Sequence, residues 1–299
     1  NLYYNHMDYR LKRKLIGNAY DTTSNRNYLT NNYIDDINVN YSSELKLGSS
    51  NVLEFGLSEN NVRINAKDGI SQYSLGARII DTIKIYDNRV NNLTFWTQNT
   101  YSIGALKALK YGGRITFNNL TKKYYFEPRA QLLIDISKRF SIKMSAGIYY
   151  QFVNKILTYS NSSYRNIWKI SEGKDFPVVK SRHLIGGFVW DIGAGFSLDL
   201  EGYSKFTDGI SFEQFNLRLN EFNKLVQVRR ILLTSNKSIG ADFLLKKNWS
   251  KGQTWISYSL SRSLNKTDKI NNEMDYHSLD DHLSELKIVN VLNLNHWNF

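Results

Sequence analysis

The sequence predicts an all-β fold, a transmembrane antiparallel β-barrel, on three observations. Apolar residues recur with a two-residue period, connections alternate between short and long, and aromatics are abundant in a chain of low mean hydropathy. The helical period is nearly absent. The clearest segment runs from Phe140 to Phe152: Phe140, Ile142, Met144, Ala146, Ile148, Tyr150 and Phe152 share one face, and Ser141, Lys143, Ser145, Gly147, Tyr149 and Gln151 the other. Successive side chains of a strand point to opposite faces, so one face is apolar and the other polar or small. Ile142, Met144 and Ile148 are expected against lipid, and Ser141, Lys143 and Ser145 toward a lumen. The mean hydropathy of −0.45 would suit a water-soluble chain. A membrane barrel also gives a low mean, because only every second residue meets lipid. Aromatics at 14% fit girdles at two membrane interfaces, although a β-sandwich with aromatic cross-strand pairs is the other reading.

Strands are expected at about 2–14, 33–46, 51–66, 93–103, 107–118, 122–136, 140–153, 182–191, 196–206, 236–246, 253–264 and 284–294, with another starting at Trp297. Ala130, Leu132, Ile134 and Ile136 repeat the alternation, as do Phe196, Leu198 and Leu200. Thr254, Ile256, Tyr258 and Leu260 do so again, and Leu286, Ile288, Leu292 and Leu294 follow, with Asn290 an exception. The connections at Ser137–Arg139, Ile192–Gly195 and Asn248–Gly252 are short. Those around Leu157–Lys180, Thr207–Ser235 and Asn265–His282 are long and rich in Asn, Ser and charge. A barrel with tight periplasmic turns and long outer loops has this asymmetry, whereas a sandwich has no reason for it.

Composition excludes several classes. Cysteine is absent, which removes disulfides, thiolate metal sites and a Cys nucleophile. No stretch approaches the ~20 apolar residues of a membrane helix, and residues 1–5 do not read as a signal peptide. The two prolines suit long strands, since Pro cannot donate to a ladder. The net charge of +12 invites a nucleic-acid partner, but the cations are spread along the chain. Their densest groups, Arg10–Lys14, Lys122–Lys123, Arg229–Arg230 and Lys246–Lys247, are expected at strand ends or turns, so no nucleic acid is expected.

Several segments, in order, resemble the barrel of TonB-dependent outer-membrane receptors, particularly of the Bacteroidetes kind. They are Tyr124-Tyr-Phe-Glu-Pro-Arg129, Gly147-Ile-Tyr-Tyr-Gln151, Ser181-Arg-His-Leu-Ile-Gly-Gly187 and Leu200-Glu-Gly-Tyr-Ser-Lys205, then Ser238-Ile-Gly-Ala-Asp242, Trp255–Arg262 and Asp281–Lys287. The resemblance covers roughly 93–299 well and 1–92 only in style. It departs at Asp280-Asp-His282, where the family usually has an Arg before the His. It implies one partial barrel domain over 1–299, cut at both ends, from a barrel of about 22 strands. It further implies energised uptake of a scarce nutrient at the bacterial outer membrane. The ligand would bind at the outer mouth, and a plug pulled by the TonB complex would be carried by an upstream segment. The cargo stays open among ferric siderophore, haem, vitamin, glycan and peptide. The implied partners are outer-membrane lipid, the TonB complex and a small nutrient ligand.

For ligand contact the sequence offers the aromatic and Arg residues of the long outer loops: Tyr159, Tyr164, Arg165, Trp168, Phe212, Phe215 and Arg218. These residue types are over-represented at binding hot spots; the other reading, and the more common one for any single residue, is that they lie in the headgroup region or pack the loops. Lumen-facing Lys143, Asp199 and Glu201 could meet a plug or line the path. An enzyme reading has His277, Asp280, Asp281 and His282 in one stretch, as base and orienter or metal ligands. No nucleophile is fixed near them, so no catalytic residue, metal or cofactor is assigned. The alternative function is a passive porin or other barrel without a plug.

Overall fold

The computed structural model describes residues 2–19, 22–74, 77–160, 163–219, 221, 225–268, 270–294 and 297–298, with side chains over 33–66, 86–158, 166–214, 221, 228–268 and 270–292. The chain forms strands β1 (Leu2–Ala19), β2 (Thr22–Lys46), β3 (Asn51–Ser74), β4 (Ala77–Ile103), β5 (Leu106–Asn118), β6 (Lys123–Ser137), β7 (Phe140–Gln151), β8 (Val153–Ser160), β9 (Ser163–Ile170) and β10 (Val179–Gly193). Then come β11 (Phe196–Leu219), β12 (Leu225–Trp249), β13 (Gly252–Thr267), a short 3-10 turn at Asn271–Glu273, β14 (Tyr276–His277), β15 (Ser284–Leu294) and β16 (Trp297–Asn298). They make one twisted sheet in the order β1-β2-β3-β4-β5-β6-β7-β10-β11-β12-β13-β15-β16. Every neighbouring pair on that path is antiparallel. The predicted all-β barrel wall and its hairpin order are what the chain adopts.

Strand length separates two kinds of hairpin. β5, β6, β7 and β10 have 13, 15, 12 and 15 residues, close to the ~9–11 that a tilted strand needs to cross a bilayer. β3, β4, β11 and β12 have 24, 27, 24 and 25. At roughly 3.3 Å per residue these are about 80 Å long. They therefore rise well above the shorter strands, on the side opposite the short turns. This corrects the expected boundaries: 207–219 and 225–235 are ladder rather than loop, and β2 and β4 begin well before 33 and 93. Arg10–Lys14 and Arg229–Arg230 accordingly lie inside β1 and β12, whereas Lys122 sits in a turn, as expected.

Along the tall strands the outward face changes from apolar to polar. On β3 and β4 it carries exposed Leu57, Leu93 and Phe95. Further out it turns polar: Arg63 makes a two-pronged hydrogen bond to Asp87 at 2.9 and 2.7 Å, and Arg89 donates to Asn61. The opposite face changes in the other sense. Val62, Ile64, Ala66 and Val90 are buried there, although nothing apolar is needed inside a water-filled mouth. Their cover is the β8–β9 hairpin: Ile170, Val153 and Trp168 pack with Val62, Ile64, Val90 and Ile34. Burying each such side chain stabilises by roughly 1.5–3 kcal/mol.

Candidate functional site

Below the outer extensions the lumen wall is polar and cross-linked. Thr94 pairs with Thr116 at 2.9 Å, Asn118 donates to Asn92 at 2.8 Å, and Thr234 pairs with Thr267 at 2.7 Å. Lys143 stands in register with Gly187, and Gly187 with Glu201. With no side chain on β10 at that level, the Lys143 ammonium reaches both Asp199, at 2.7 Å, and Glu201. The structure thus joins the three lumen charges that the alternation singled out. A Cβ on Gly187 would meet Leu200 O at 2.1 Å and Glu201 Cγ at 3.1 Å, so only glycine fits the gap.

One strand pair higher, the β6–β7 ladder stops at Arg129 opposite Gly147, beside Pro128, which has no N–H to donate. Glu127 takes over. Its buried carboxylate accepts the Tyr150 N–H at 2.7 Å on one oxygen and the Arg114 guanidinium on the other. Arg129 lies over the Tyr149 ring at 4.8 Å, and that ring lies 4.7 Å from His183. A cavity of about 420 Å³ opens here, lined by Trp96, Gln98, Lys110, Arg114, Arg129 and Tyr149. Cations and hydrogen-bonding amides around an indole and a phenol suit an anionic or polar guest.

The outer part is held by a buried ion cluster that no sequence spacing announced. β10 borders β11 up to Asp208; from Phe212 onward β8 pairs with β11 in parallel. The switch falls at Gly209, whose φ of +84° lies in the region that glycine tolerates best. Just beyond it, fully buried Glu213 receives Lys169 Nζ at 2.8 Å, Arg229 Nε at 2.6 Å and the Thr158 hydroxyl at 3.4 Å. Lys169 also lies 4.1 Å from the Tyr86 ring and 4.2 Å from the Phe176 ring. Burial alone would raise the Glu213 carboxyl, but the charges of Lys169 and Arg229 and their hydrogen bonds outweigh it and hold it below the ordinary carboxylate range.

Of the proposed ligand contacts, the structure places Tyr159 on β8, Tyr164, Arg165 and Trp168 on β9, and Phe212, Phe215 and Arg218 on β11, three strands joined in one ladder. Trp168 is half-buried against the apolar cluster, and Phe212, also half-buried, stands opposite Leu232 and Leu157. The side chains of Tyr159, Tyr164, Arg165, Phe215 and Arg218 lie outside the described residues. In the last loop His277 Nδ1 and Asp281 lie 2.6 Å apart, and Asp281 also accepts the Ser263 N–H at 2.6 Å. The His277 hydrogen bond, then that of Ser263, holds the Asp281 carboxyl below its usual range. The pair ties the loop to β13; no group of three or more metal-ligating side chains occurs among the described residues.

No family model matches the sequence, and no curated protein matches it. Solved structures do match in shape. The outer-membrane ferripyoverdine receptor of Pseudomonas aeruginosa superposes with a TM-score of 0.62 at 12% identity, over 98% of this chain and 41% of that one. The fold is that of an outer-membrane β-barrel. The FrpB iron transporter of Neisseria meningitidis gives 0.55 at 8% identity, over 93% of this chain and 45% of that one. The RagAB peptide transporter gives 0.52 at 11% identity, over 91% and 35%. These neighbours are a receptor and two transporters. The chain spans 35–45% of their lengths.

Proposed function

We propose that this chain is part of the barrel wall of an outer-membrane receptor for TonB-energised uptake of a scarce nutrient such as a ferric siderophore. The observation that carries this reading is the shape likeness, along 98% of the chain, to a ferripyoverdine receptor. The polar lumen and the outward apolar belt support it, since only a closed barrel or a helix satisfies backbone groups in lipid. On this reading the 299 residues are one partial barrel domain of a longer protein. A plug and a TonB-contacting segment lie outside them, and the tall hairpins β3–β4 and β11–β12, bridged by β8–β9, frame the mouth where the ligand enters.

The test is uptake by cells carrying the full-length gene. Labelled ferric siderophores, haem and peptides are offered with and without a protonophore. Accumulation of one cargo that collapses when the inner membrane is de-energised is the expected result. Entry of small solutes regardless of energy would favour a passive porin. Recovery of the protein in the soluble periplasm, with no heat-dependent change in gel mobility, would overturn the membrane reading.

A further inference from the structure

The outward wall of β3–β6 is apolar except for one notch near the short turns. Met144, exposed on the outward face, stands opposite Leu132, Leu132 opposite Leu109, Leu109 opposite Tyr101, and Tyr101 opposite Asn51. Residues directly opposite in a ladder share a face, so that row fixes the outward face of each strand. The next row up carries Leu53, Asn99, Tyr111 and Ala130, and the one above it Phe55, Thr97, Gly113 and Pro128. Phe95, Ile115 and Phe126 stand above Gly113, exposed by 46%, 41% and 60%. Between these rows a cavity of about 610 Å³ opens outward. It exists because Gly113 has no side chain; a Cβ there would lie 2.9 Å from Phe126 Cε2.

The lower wall of the notch is polar. Asn99 Nδ2 donates to Tyr111 Oη at 3.1 Å, and the Thr97 hydroxyl donates to Glu54 O at 3.3 Å. The Tyr111 oxygen thus accepts one hydrogen bond and keeps its own hydrogen to give. No acceptor for that hydrogen occurs among the described residues. At the foot of the notch Asn51 Oδ1 is buried without a partner. Polar groups turned toward hydrocarbon are costly unless something meets them. None of the outward residues in these rows is charged, so nothing there reads a phosphate or an ammonium. What the notch offers is a neutral donor beneath an apolar slot. Tyr111 stands five residues above the start of β5 at Leu106, about 16 Å along the strand and about 12 Å up once the strand tilts. That depth is just inside the headgroups on the short-turn side, where the ester carbonyls of a diacyl lipid lie. We propose that the notch holds one diacyl phospholipid of the periplasmic leaflet. One acyl chain lies over Gly113 against Phe95, Ile115 and Phe126, and the Tyr111 hydroxyl donates to an ester carbonyl. The inference rests on the outer-membrane reading and adds to it a resident lipid recognised by its glycerol esters.

The test uses the full-length protein in dodecyl maltoside, with retained lipid counted by native mass spectrometry. The probes are dioleoyl phosphatidylethanolamine and its dialkyl ether analogue, which keeps the headgroup and both chains but lacks the ester carbonyls. The wild type is expected to hold the diester roughly five-fold more tightly than the diether, the worth of one neutral hydrogen bond. Tyr111→Phe keeps the ring and is expected to hold the two alike. Gly113→Leu fills the notch and is expected to retain neither. Dioleoyl phosphatidylglycerol is expected to bind the wild type as the ethanolamine diester does. Equal retention of diester and diether by the wild type would overturn the proposal, in an arm that needs no variant. So would a Tyr111→Phe protein that keeps the preference for esters. A strong preference for phosphatidylglycerol would also refute it, because a charged site elsewhere would then hold the lipid. Heat-dependent gel mobility separates the failures: without it the membrane reading falls, and with it but without ester selectivity only this inference does.

Discussion

The Glu127 carboxylate accepts the Tyr150 amide hydrogen at 2.7 Å, a contact between neighbouring strands made by a side chain where the ladder itself has ended. Pro128 ends the ladder, Glu127 replaces the missing acceptor, and Arg114 offsets the buried charge. Glu127→Ala leaves the Tyr150 N–H without its acceptor and the Arg114 guanidinium without its counter-ion. Losing the partner of a buried donor costs about 1–3 kcal/mol, and the full-length barrel should lose that much in urea unfolding in detergent. Glu127→Gln keeps an acceptor oxygen and should lose less. Equal losses for the two would show that the charge alone matters.

Two adjacent glycines on β10 separate a close approach from open space. Gly187 faces the lumen between Lys143 and Glu201, and a Cβ there collides with Leu200 O; at Gly186 a Cβ meets nothing within 4 Å. Gly187→Ala should lower the yield of heat-modifiable barrel and separate Lys143 from Glu201, while Gly186→Ala should assemble like the wild type. If both assemble equally, the register between β10 and β11 is not as described.

Much of the wall was legible in the sequence because lipid on one side and a polar lumen on the other enforce alternation. The strand from Phe140 shows it: Met144 is 54% exposed on the outward face, while Lys143 finds its partners inside. The tall hairpins escaped because that constraint ends with the membrane. Outward residues at 61, 63 and 65 are Asn, Arg and Asn, and the Asp208-Gly209 bulge in β11 has the composition of a turn. Glu213 and Lys169 lie 44 residues apart, a separation that carries no local signal. Trp168, an aromatic in a long connection and so a candidate ligand contact, also packs against the Val62–Ile64 cluster, a contact that shows only once β9 is placed. The Glu127-Pro128-Arg129 run was visible only as a family resemblance, since its reason lies in a backbone amide on another strand.

Glu213 should make docking of the β8–β9 hairpin sensitive to acid. Its carboxyl is held below the ordinary value of 4.5. A depressed carboxylate contributes stability that is present above that value and lost as pH falls through the lower, folded one. Trp168 fluorescence, taken as the difference between wild type and Trp168→Phe, should stay level through neutral pH and change only once the pH has fallen below the ordinary carboxylate value. In Glu213→Gln the neutral-pH signal should already resemble the acid form, because Lys169 and Arg229 then lack their shared counter-ion. A wild-type transition near pH 6 would point to a histidine instead and remove Glu213 from the account.

The last test decides whether the outward face of β7 meets lipid. Met144 and Ser145 are neighbours on opposite faces, Met144 opposite Leu132 and Gly186, and Ser145 opposite Gln131 and Ile185. An Arg on the lipid face near the midplane costs roughly 2–4 kcal/mol, whereas a lumen substitution mainly tunes what passes or binds. Met144→Arg should therefore impair assembly, and Ser145→Arg should assemble normally and at most alter uptake. A water-soluble sandwich would also suffer from Met144→Arg, so a second readout is needed. A fluorophore at 144 in reconstituted membranes should be quenched by lipid-borne quenchers, and one at 145 should not. Quenching at 145 alone would shift the strand by one residue and place Lys143, with its bridge to Asp199 and Glu201, against lipid, where an ion cluster could not be sustained. Quenching at neither position would remove the bilayer from the account altogether.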